Sequence, residues 1–148
     1  MSPALAAVKR SMQACLHEHE FQRKGTTWYR DLPETILVVN LQGSRYGGES
    51  FINLAVWLKA LGTNNMPKEN VCHIRKRLAG KRLEAALELK DSELSDVERE
   101  QAIRSALERT GIPFLLACSS HPGLRKMLSQ AKLRDAVVDK AVESVIRR

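Results

Sequence analysis

The sequence predicts an α+β fold: an N-terminal helix, a three-stranded antiparallel meander, and a helical C-terminal half packed on one face of the sheet. Three observations predict it. Apolar residues recur at three- and four-residue spacing near the start, two β-rich segments flank a glycine-containing turn, and helix-capping signals occur in the second half. A length of 148 residues with 43% hydrophobic and 28% charged residues fits one globular domain over residues 1–148.

The first helix is predicted over residues 3–20, where the apolar side chains would share one helical face. That face consists of Leu5, Val8, Met12, Cys15 and Leu16. The helix should end before Gly25. A short first strand, Thr26–Arg30, follows it, and a turn through Pro33 leads into the next strand.

A β-hairpin over residues 36–42 and 51–58 is the clearest local pattern. If Ser44 pairs with Glu49 across a four-residue loop, Asn40 lies opposite Asn53, and side-chain alternation gives the hairpin two faces. The first face is apolar and would be covered by helices: Leu37, Val39, Leu41, Ile52, Leu54 and Val56. The second face is half polar: Ile36, Val38, Asn40, Gln42, Phe51, Asn53, Ala55 and Trp57.

Beyond a loop at residues 62–67, the pattern is helical. Helices are predicted over residues 68–78, 81–90, 95–111, 121–130 and 131–148. Ser95-Asp96-Val97-Glu98 is a capping box that opens the third of these helices. Gly111, with Pro113 just beyond it, should end that helix, and the apolar residues 113–118 should be buried.

The formal net charge is +7, and the densest basic cluster consists of Arg75, Lys76, Arg77, Lys81 and Arg82. Such a cluster can attract phosphate backbones or an acidic protein. It can also be the solvated face of a helix that turns Ile74, Leu78 and Leu83 inward, which is the interpretation we favour. The chain shows no helix-turn-helix signal, zinc-finger spacing or aromatic RNA-binding motif.

Each cysteine has a histidine near it: Cys15 with His19, Cys72 with His73, and Cys118 with His121. None has the Cys-x-x-Cys spacing of a zinc site, so we predict packing roles and neither a metal nor a cofactor. Cys118-Ser119-Ser120-His121 could supply a nucleophile and a base, but no third, orienting residue is evident. Ser-Ser-His-Pro is also an ordinary helix-capping sequence. We predict no catalytic residues.

Several motifs carry a family resemblance. They are Phe21-Gln22-Arg23-Lys24-Gly25, Trp28-Tyr29-Arg30, Val39-Asn40-Leu41-Gln42 with Ser44, Asn53-Leu54, Cys72-His73-Ile74 with Arg77-Leu78, and Gly111-Ile112-Pro113-Phe114. On these motifs the chain resembles, over roughly residues 16–128, the bacterial family catalogued as domain of unknown function 4304. The family has no established reaction, so the resemblance implies a fold and no activity.

Three functions are compatible with these observations. The leading prediction is a non-catalytic protein-interaction module with a protein partner, of immunity type by analogy with small bacterial domains that act against toxins. It would use the amide-aromatic face (Asn40, Gln42, Asn53 and Trp57) or the basic cluster. The alternatives are nucleic-acid binding through the basic cluster and a small-molecule binder or enzyme centred on the amide-aromatic face. The amide side chains can instead form hydrogen bonds with one another inside the fold, and this is the interpretation we favour for them.

The sequence also bears on location and assembly. No apolar run is long enough to cross a bilayer, and residues 4–8 are too short for an export signal. The lack of an export signal, together with an odd number of cysteines (three), predicts a reduced cytoplasmic protein. The strand at residues 26–30 could pair at a sheet edge with a second copy, but Arg23, Lys24 and Arg30 oppose such pairing by their charge. The oligomeric state is left open.

Overall fold

The structure is a computed structural model that describes residues 2–44, 47–89 and 94–147. The helices are α1 (Pro3–Glu18), α2 (Lys81–Leu87), α3 (Asp96–Ala106), α4 (Ile112–Ala117), α5 (His121–Ser129) and α6 (Ala141–Ile146). The strands are β1 (Gln22–Lys24), β2 (Thr27–Asp31), β3 (Thr35–Gly43), β4 (Ser50–Leu58), β5 (Ile74–Arg77) and β6 (Val137–Val138). Short 3₁₀ turns occupy Lys59–Leu61 and Glu69–Val71, and a π-helical turn occupies Leu107–Gly111.

Four residues of predicted elements lie outside the described residues. Arg45 and Tyr46 belong to the predicted hairpin turn, while Lys90 and Arg148 were the predicted last residues of two helices. On either side of the turn, the Ser44 N–H donates to the Glu49 carbonyl at 2.9 Å. The predicted pairing of Ser44 with Glu49 is therefore confirmed.

In the part of the chain that the structure describes, the sheet has six antiparallel strands in the order β1-β2-β3-β4-β5-β6. The α+β class, the N-terminal helix and the C-terminal helices are as predicted. The predicted meander of three strands is wrong in size, because it is part of a larger sheet. The predicted hairpin register is confirmed, because Asn40 lies opposite Asn53 and Ile36 lies opposite Trp57. The extra strands are β1 and β5, which flank the meander, and β6, which pairs with β5.

Residues 68–78 do not form the predicted helix. They form the turn Glu69–Val71 and then β5, in which Ile74 lies opposite Val56 and Lys76 lies opposite Leu54. The edge of β4 that is not paired with β3 has backbone N–H and C=O groups that need hydrogen-bond partners, and β5 supplies these partners. Burial of Ile74, which is 1% exposed, adds an apolar contribution that helix periodicity does not reveal.

The helix that begins at the Ser95 capping box is present, but it does not end at Gly111. Gly111 has helical torsions (φ −65°, ψ −57°), and the chain continues into α4. The Ile112 N–H bonds to the Leu107 carbonyl five residues earlier, which is the wide π spacing. This wider turn accommodates Pro113, which has no N–H to donate and a ring that crowds the preceding turn.

Residues 131–148 were predicted as one helix and are not. Ala131 has a left-handed backbone (φ 56°), which ends the helical path after α5. The chain then forms β6, and the Asp139 N–H donates to the His73 carbonyl at 2.8 Å. Asp139 Oδ1 accepts the N–H of Ala141, the first residue of α6, at 2.9 Å.

The main core lies between the helices and the apolar face of the sheet. The predicted first face is buried as expected, with Leu37, Val39, Ile52, Leu54 and Val56 at most 1% exposed and Leu41 at 5%. Side chains from the helices complete this core, among them Met12, Leu107, Leu115, Leu124 and Val142. Because the helices cover the first face, a functional surface has to be sought on the second face or on the outside of the helices.

Candidate functional site

One row of polar side chains crosses five strands on the second sheet face. Residues directly opposite one another in antiparallel strands point to the same face. The register places Lys24 opposite Thr27, Thr27 opposite Asn40, Asn40 opposite Asn53, and Asn53 opposite Arg77. We call these five residues the polar row. The first and last of them, Lys24 and Arg77, are 53 residues apart in the sequence. Only the assembled sheet brings the five together.

Side-chain hydrogen bonds connect four members of the polar row. Asn40 Nδ2 donates to Thr27 Oγ1 at 3.1 Å, and Asn53 Nδ2 donates to Asn40 Oδ1 at 3.3 Å. Arg77 Nε donates to Asn53 Oδ1 at 3.4 Å. Asn53 is buried at 5% exposure, whereas Asn40 is half-buried. The predicted mutual bonding of Asn40 and Asn53 is therefore present, and it extends to an arginine that the sequence had placed in a separate cluster.

Gln42 and Phe51 hold the outer end of Arg77. Arg77 Nη2 donates to Gln42 Oε1 at 3.3 Å, and Gln42 Oε1 also accepts from Asn53 Nδ2 at 2.9 Å. The Arg77 guanidinium carbon lies 4.0 Å from the centroid of the Phe51 ring, a cation–π contact. Arg77 also borders a cleft of about 470 Å³ whose other walls include Phe51, Leu78, Leu87, Glu49 and Glu84.

Trp57 lies at the other, covered end of the second face. Its Nε1 donates to the Gly62 carbonyl at 3.0 Å, and its ring lies 4.3 Å from that of His73. Next to it, Ile36, Val38 and Ala55 are buried in a small cluster with Cys72, from the segment between β4 and β5. The structure thus brings Asn40, Gln42 and Asn53 together and assigns Trp57 a packing role under that segment.

The five basic residues do not form one helical face. Arg75, Lys76 and Arg77 lie on β5, so their side chains alternate between the two faces of the sheet. Arg75 and Arg77 share the second face, while Lys76 Nζ lies 5.0 Å from the Phe114 ring centroid on the helical side. Lys81 and Arg82 lie on α2 and border a different cleft. The solvated-helix interpretation is wrong for β5, because strand periodicity separates adjacent basic residues.

The three thiols are buried. Burial raises the pKa of Cys72 and Cys118 to about 12, and burial raises that of Cys15 to about 11 although Arg104 partly opposes it. A thiol with such a pKa is almost entirely protonated at neutral pH and is a poor nucleophile. Among residues 2–44, 47–89 and 94–147, no group of three or more His, Cys, Asp and Glu side chains is arranged to hold a metal ion.

The Ser-Ser-His sequence joins α5 to the sheet. Ser120 Oγ accepts the Gly123 N–H at 3.1 Å and caps the helix. Glu34, in the turn between β2 and β3, contacts His121 twice: Oε1 accepts the His121 N–H at 3.1 Å, and Oε2 lies 3.2 Å from Nδ1. Ser119 Oγ donates to the Leu116 carbonyl. These contacts give all three residues structural roles.

Lys24 and Thr27 are the members of the polar row that sequence reasoning did not identify. Side-chain alternation in the short predicted strand places Thr27 and Trp28 on opposite faces of the sheet. No local pattern, however, indicates that Thr27 lies opposite Asn40. Lys24 requires β1, which was not predicted. Its Nζ lies 3.7 Å from Sδ of Met66, a residue of the segment between β4 and β5.

The family described as "Domain of unknown function (DUF4304)" matches residues 12–117, more than two thirds of the chain. The comparisons with curated proteins and with solved structures found no match. Within the described part of the chain, no helix is both long enough and apolar enough to span a membrane.

Proposed function

This chain belongs to the DUF4304 family, and we propose that it is a non-catalytic protein-interaction module that binds an acidic partner protein on the second sheet face. The observation that carries the proposal is the polar row, a preassembled band of amides and cations whose two ends, Lys24 and Arg77, are exposed. Arginine is enriched at surfaces that bind proteins, and charged groups there complement the charge of the partner.

The charge of the second face favours an acidic partner. The residues that the six strands contribute to this face include three cations, Lys24, Arg75 and Arg77, and one anion, Asp31. Asp31 lies at the far end of the face and pairs with Lys59 at 2.6 Å. In the described part of the chain, no carboxylate lies within 4.0 Å of the three cations. A complementary surface therefore carries negative charge.

The residues that could have supported catalysis have structural roles instead. The thiols are buried and protonated, and the hydroxyls of Ser119 and Ser120 bond to backbone groups near α5. These roles favour a binding protein over an enzyme. An immunity protein, which neutralises a toxin by binding it, is one member of the proposed class. Three buried free thiols also fit the reducing cytoplasm that we propose as its location.

The geometry favours a protein partner over nucleic acid. A nucleic-acid surface needs several cations that can follow one phosphate backbone. Here Lys76 is turned to the helical side, and Lys81 and Arg82 border a separate cleft. Only Arg75 and Arg77 of the predicted cluster share a face. Phe51, the aromatic residue beside Arg77, is occupied by its guanidinium and does not offer a free stacking platform.

An affinity pull-down of the full chain from native lysate, with and without nuclease, tests the proposal. The experiment is repeated with Arg75→Ala/Arg77→Ala and with Lys132→Ala/Arg134→Ala, a control that removes the same charge from two other exposed positions. We expect an acidic protein that survives nuclease, is lost with the first variant and is retained by the control. Equal retention by all three proteins, or recovery of nuclease-sensitive nucleic acid alone, would refute the proposed surface.

A further inference from the structure

We infer that Arg77 is a pre-positioned carboxylate-binding group, and that its ligand is an aspartate or glutamate side chain in an extended acidic segment of the partner. The inference rests on the proposed function and specifies the chemistry of its central contact. Arg77 lies on the exposed side of β5, at the end of the polar row.

Three contacts restrain the Arg77 side chain before any ligand binds. Nε bonds to Asn53 at 3.4 Å, Nη2 bonds to Gln42 at 3.3 Å, and the guanidinium stacks on Phe51 at 4.0 Å. A guanidinium has five N–H donors, so these two hydrogen bonds leave three donors free for a ligand. Because the side chain is already ordered, binding a carboxylate costs less conformational entropy than it would at a flexible arginine.

The partners that hold Arg77 do not neutralise it. Asn53 and Gln42 are uncharged amides, and Asn53 is itself fixed by Asn40. Arg104 shows the contrasting arrangement, because its guanidinium pairs with Glu18 at 2.7 Å and Glu108 at 3.3 Å. Arg104 is thus a structural arginine paired with carboxylates, whereas among the residues that the structure describes no carboxylate pairs with Arg77, although a carboxylate is the group that a guanidinium binds best.

The spacing of Arg75 and Arg77 defines the shape of the ligand. Both lie on the second face two positions apart on β5, which places their backbones about 7 Å apart. An extended peptide with acidic residues at every second position repeats at the same distance. Glu49, Glu84 and Glu88 line the cleft that Arg77 borders, so like-charge repulsion directs an acidic segment away from this cleft and towards Arg75 and the polar row.

Binding of a fluorescein-labelled peptide of sequence Glu-Thr-Glu-Thr-Glu, followed by fluorescence anisotropy at low ionic strength, tests the inference. We expect Arg77→Lys to weaken binding about tenfold, because lysine keeps the charge but loses the fork of donors. Gln42→Glu should weaken it at least as much, since a carboxylate 3.3 Å from Nη2 would occupy Arg77 internally. Arg134→Lys, at an exposed arginine outside the sheet, is the matched control and should bind like the wild type.

Unchanged affinity in both Arg77→Lys and Gln42→Glu would overturn the inference. So would equal binding of the peptide with glutamine in place of glutamate, or tighter and equally Arg77-dependent binding of a single-stranded oligonucleotide. Gln42 is exposed, so we expect Gln42→Glu to fold normally. This variant therefore tests the inference even if Arg77→Lys folds poorly. A lysate partner that Arg77→Lys retains would refute the inference alone. Peptide binding without any lysate partner would refute the proposed function alone.

Discussion

Replacing Asn53 with alanine tests whether the polar row is a connected structure. Asn53 donates to Asn40 at 3.3 Å and to Gln42 at 2.9 Å, and it accepts from Arg77 at 3.4 Å. Three ordinary hydrogen bonds together contribute about 1.5–4.5 kcal/mol to the free energy of unfolding. Gln42 and Arg77 are exposed and can bond to water after the substitution, so we expect a loss of about 1–2 kcal/mol.

Urea denaturation followed by tryptophan fluorescence measures this loss. Trp28 is fully buried, so its emission reports global unfolding. A loss of about 1–2 kcal/mol lowers the urea midpoint by about 0.5–1 M with an unchanged slope. Gln42→Ala is the matched comparison, because it removes two hydrogen bonds of the same network at an exposed position where water can replace them, so it should cost less than Asn53→Ala.

The binding assay adds a second measurement on Asn53→Ala. Without the Asn53 carbonyl, Arg77 loses one of its restraints, so peptide affinity should fall by a smaller factor than in Arg77→Lys. A stability change within about 0.5 kcal/mol, together with unchanged peptide affinity, would show that the row is not energetically connected and would refute the reasoning.

Three further predictions concern the scaffold. Gly111→Ala should stabilise the protein by about 0.4–1 kcal/mol in thermal unfolding, because Gly111 is helical and a Cβ would meet its nearest neighbours at 3.5 Å. His73 Nδ1 accepts the Leu58 N–H at 2.9 Å, and burial lowers the His73 pKa despite the opposing effect of Asp139. The neutral form is therefore favoured in the folded state, so stability should fall as pH drops below about 6.5 and level off below the lowered pKa. Glu34→Gln should cost about 1 kcal/mol by urea denaturation, since it weakens both contacts to His121.

Each of these predictions has a control. Gly25→Ala should destabilise the protein, because Gly25 has a φ of 63°; destabilisation by Gly111→Ala as well would contradict the continuous helix. His73→Gln should remove the pH dependence that begins below about pH 6.5, and an unchanged profile would exclude His73 as its source. The control for Glu34→Gln is Asp31→Asn, which alters a nearby exposed carboxylate. An equal loss of stability in Asp31→Asn would mean that the effect of Glu34→Gln does not come from its contacts with His121.

The elements that the sequence predicted well depend on local rules. The apolar face of α1, the capping box at Ser95 and the register of the β3–β4 hairpin follow from side-chain periodicity and turn length within short segments. Hairpin register in particular requires only that Ser44 pair with Glu49, since every other pair follows from that one.

The failures share one cause, which is that distant contacts outweighed local preference. Residues 74–77 (IRKR) have no strand alternation of polar and apolar side chains, yet they pair with β4 and bury Ile74. Gly111 and Pro113 carry a helix stop signal, yet the helix continues through a π turn at a buried position, where a Cβ on Gly111 would lie 3.5 Å from Leu54 and 3.6 Å from Leu78. Tertiary contacts commonly override propensity in this way.

By itself, the sequence determined the α+β class, the apolar face of the hairpin and the presence of amides on the opposite face, because strand alternation is a local property of the chain. The tertiary structure alone decided that Lys24, Thr27, Asn40, Asn53 and Arg77 form one row and that Lys76 faces the helices. Registers between strands distant in sequence depend on the packing of the whole sheet. For this reason the composition of the polar row could not be obtained from residue spacing.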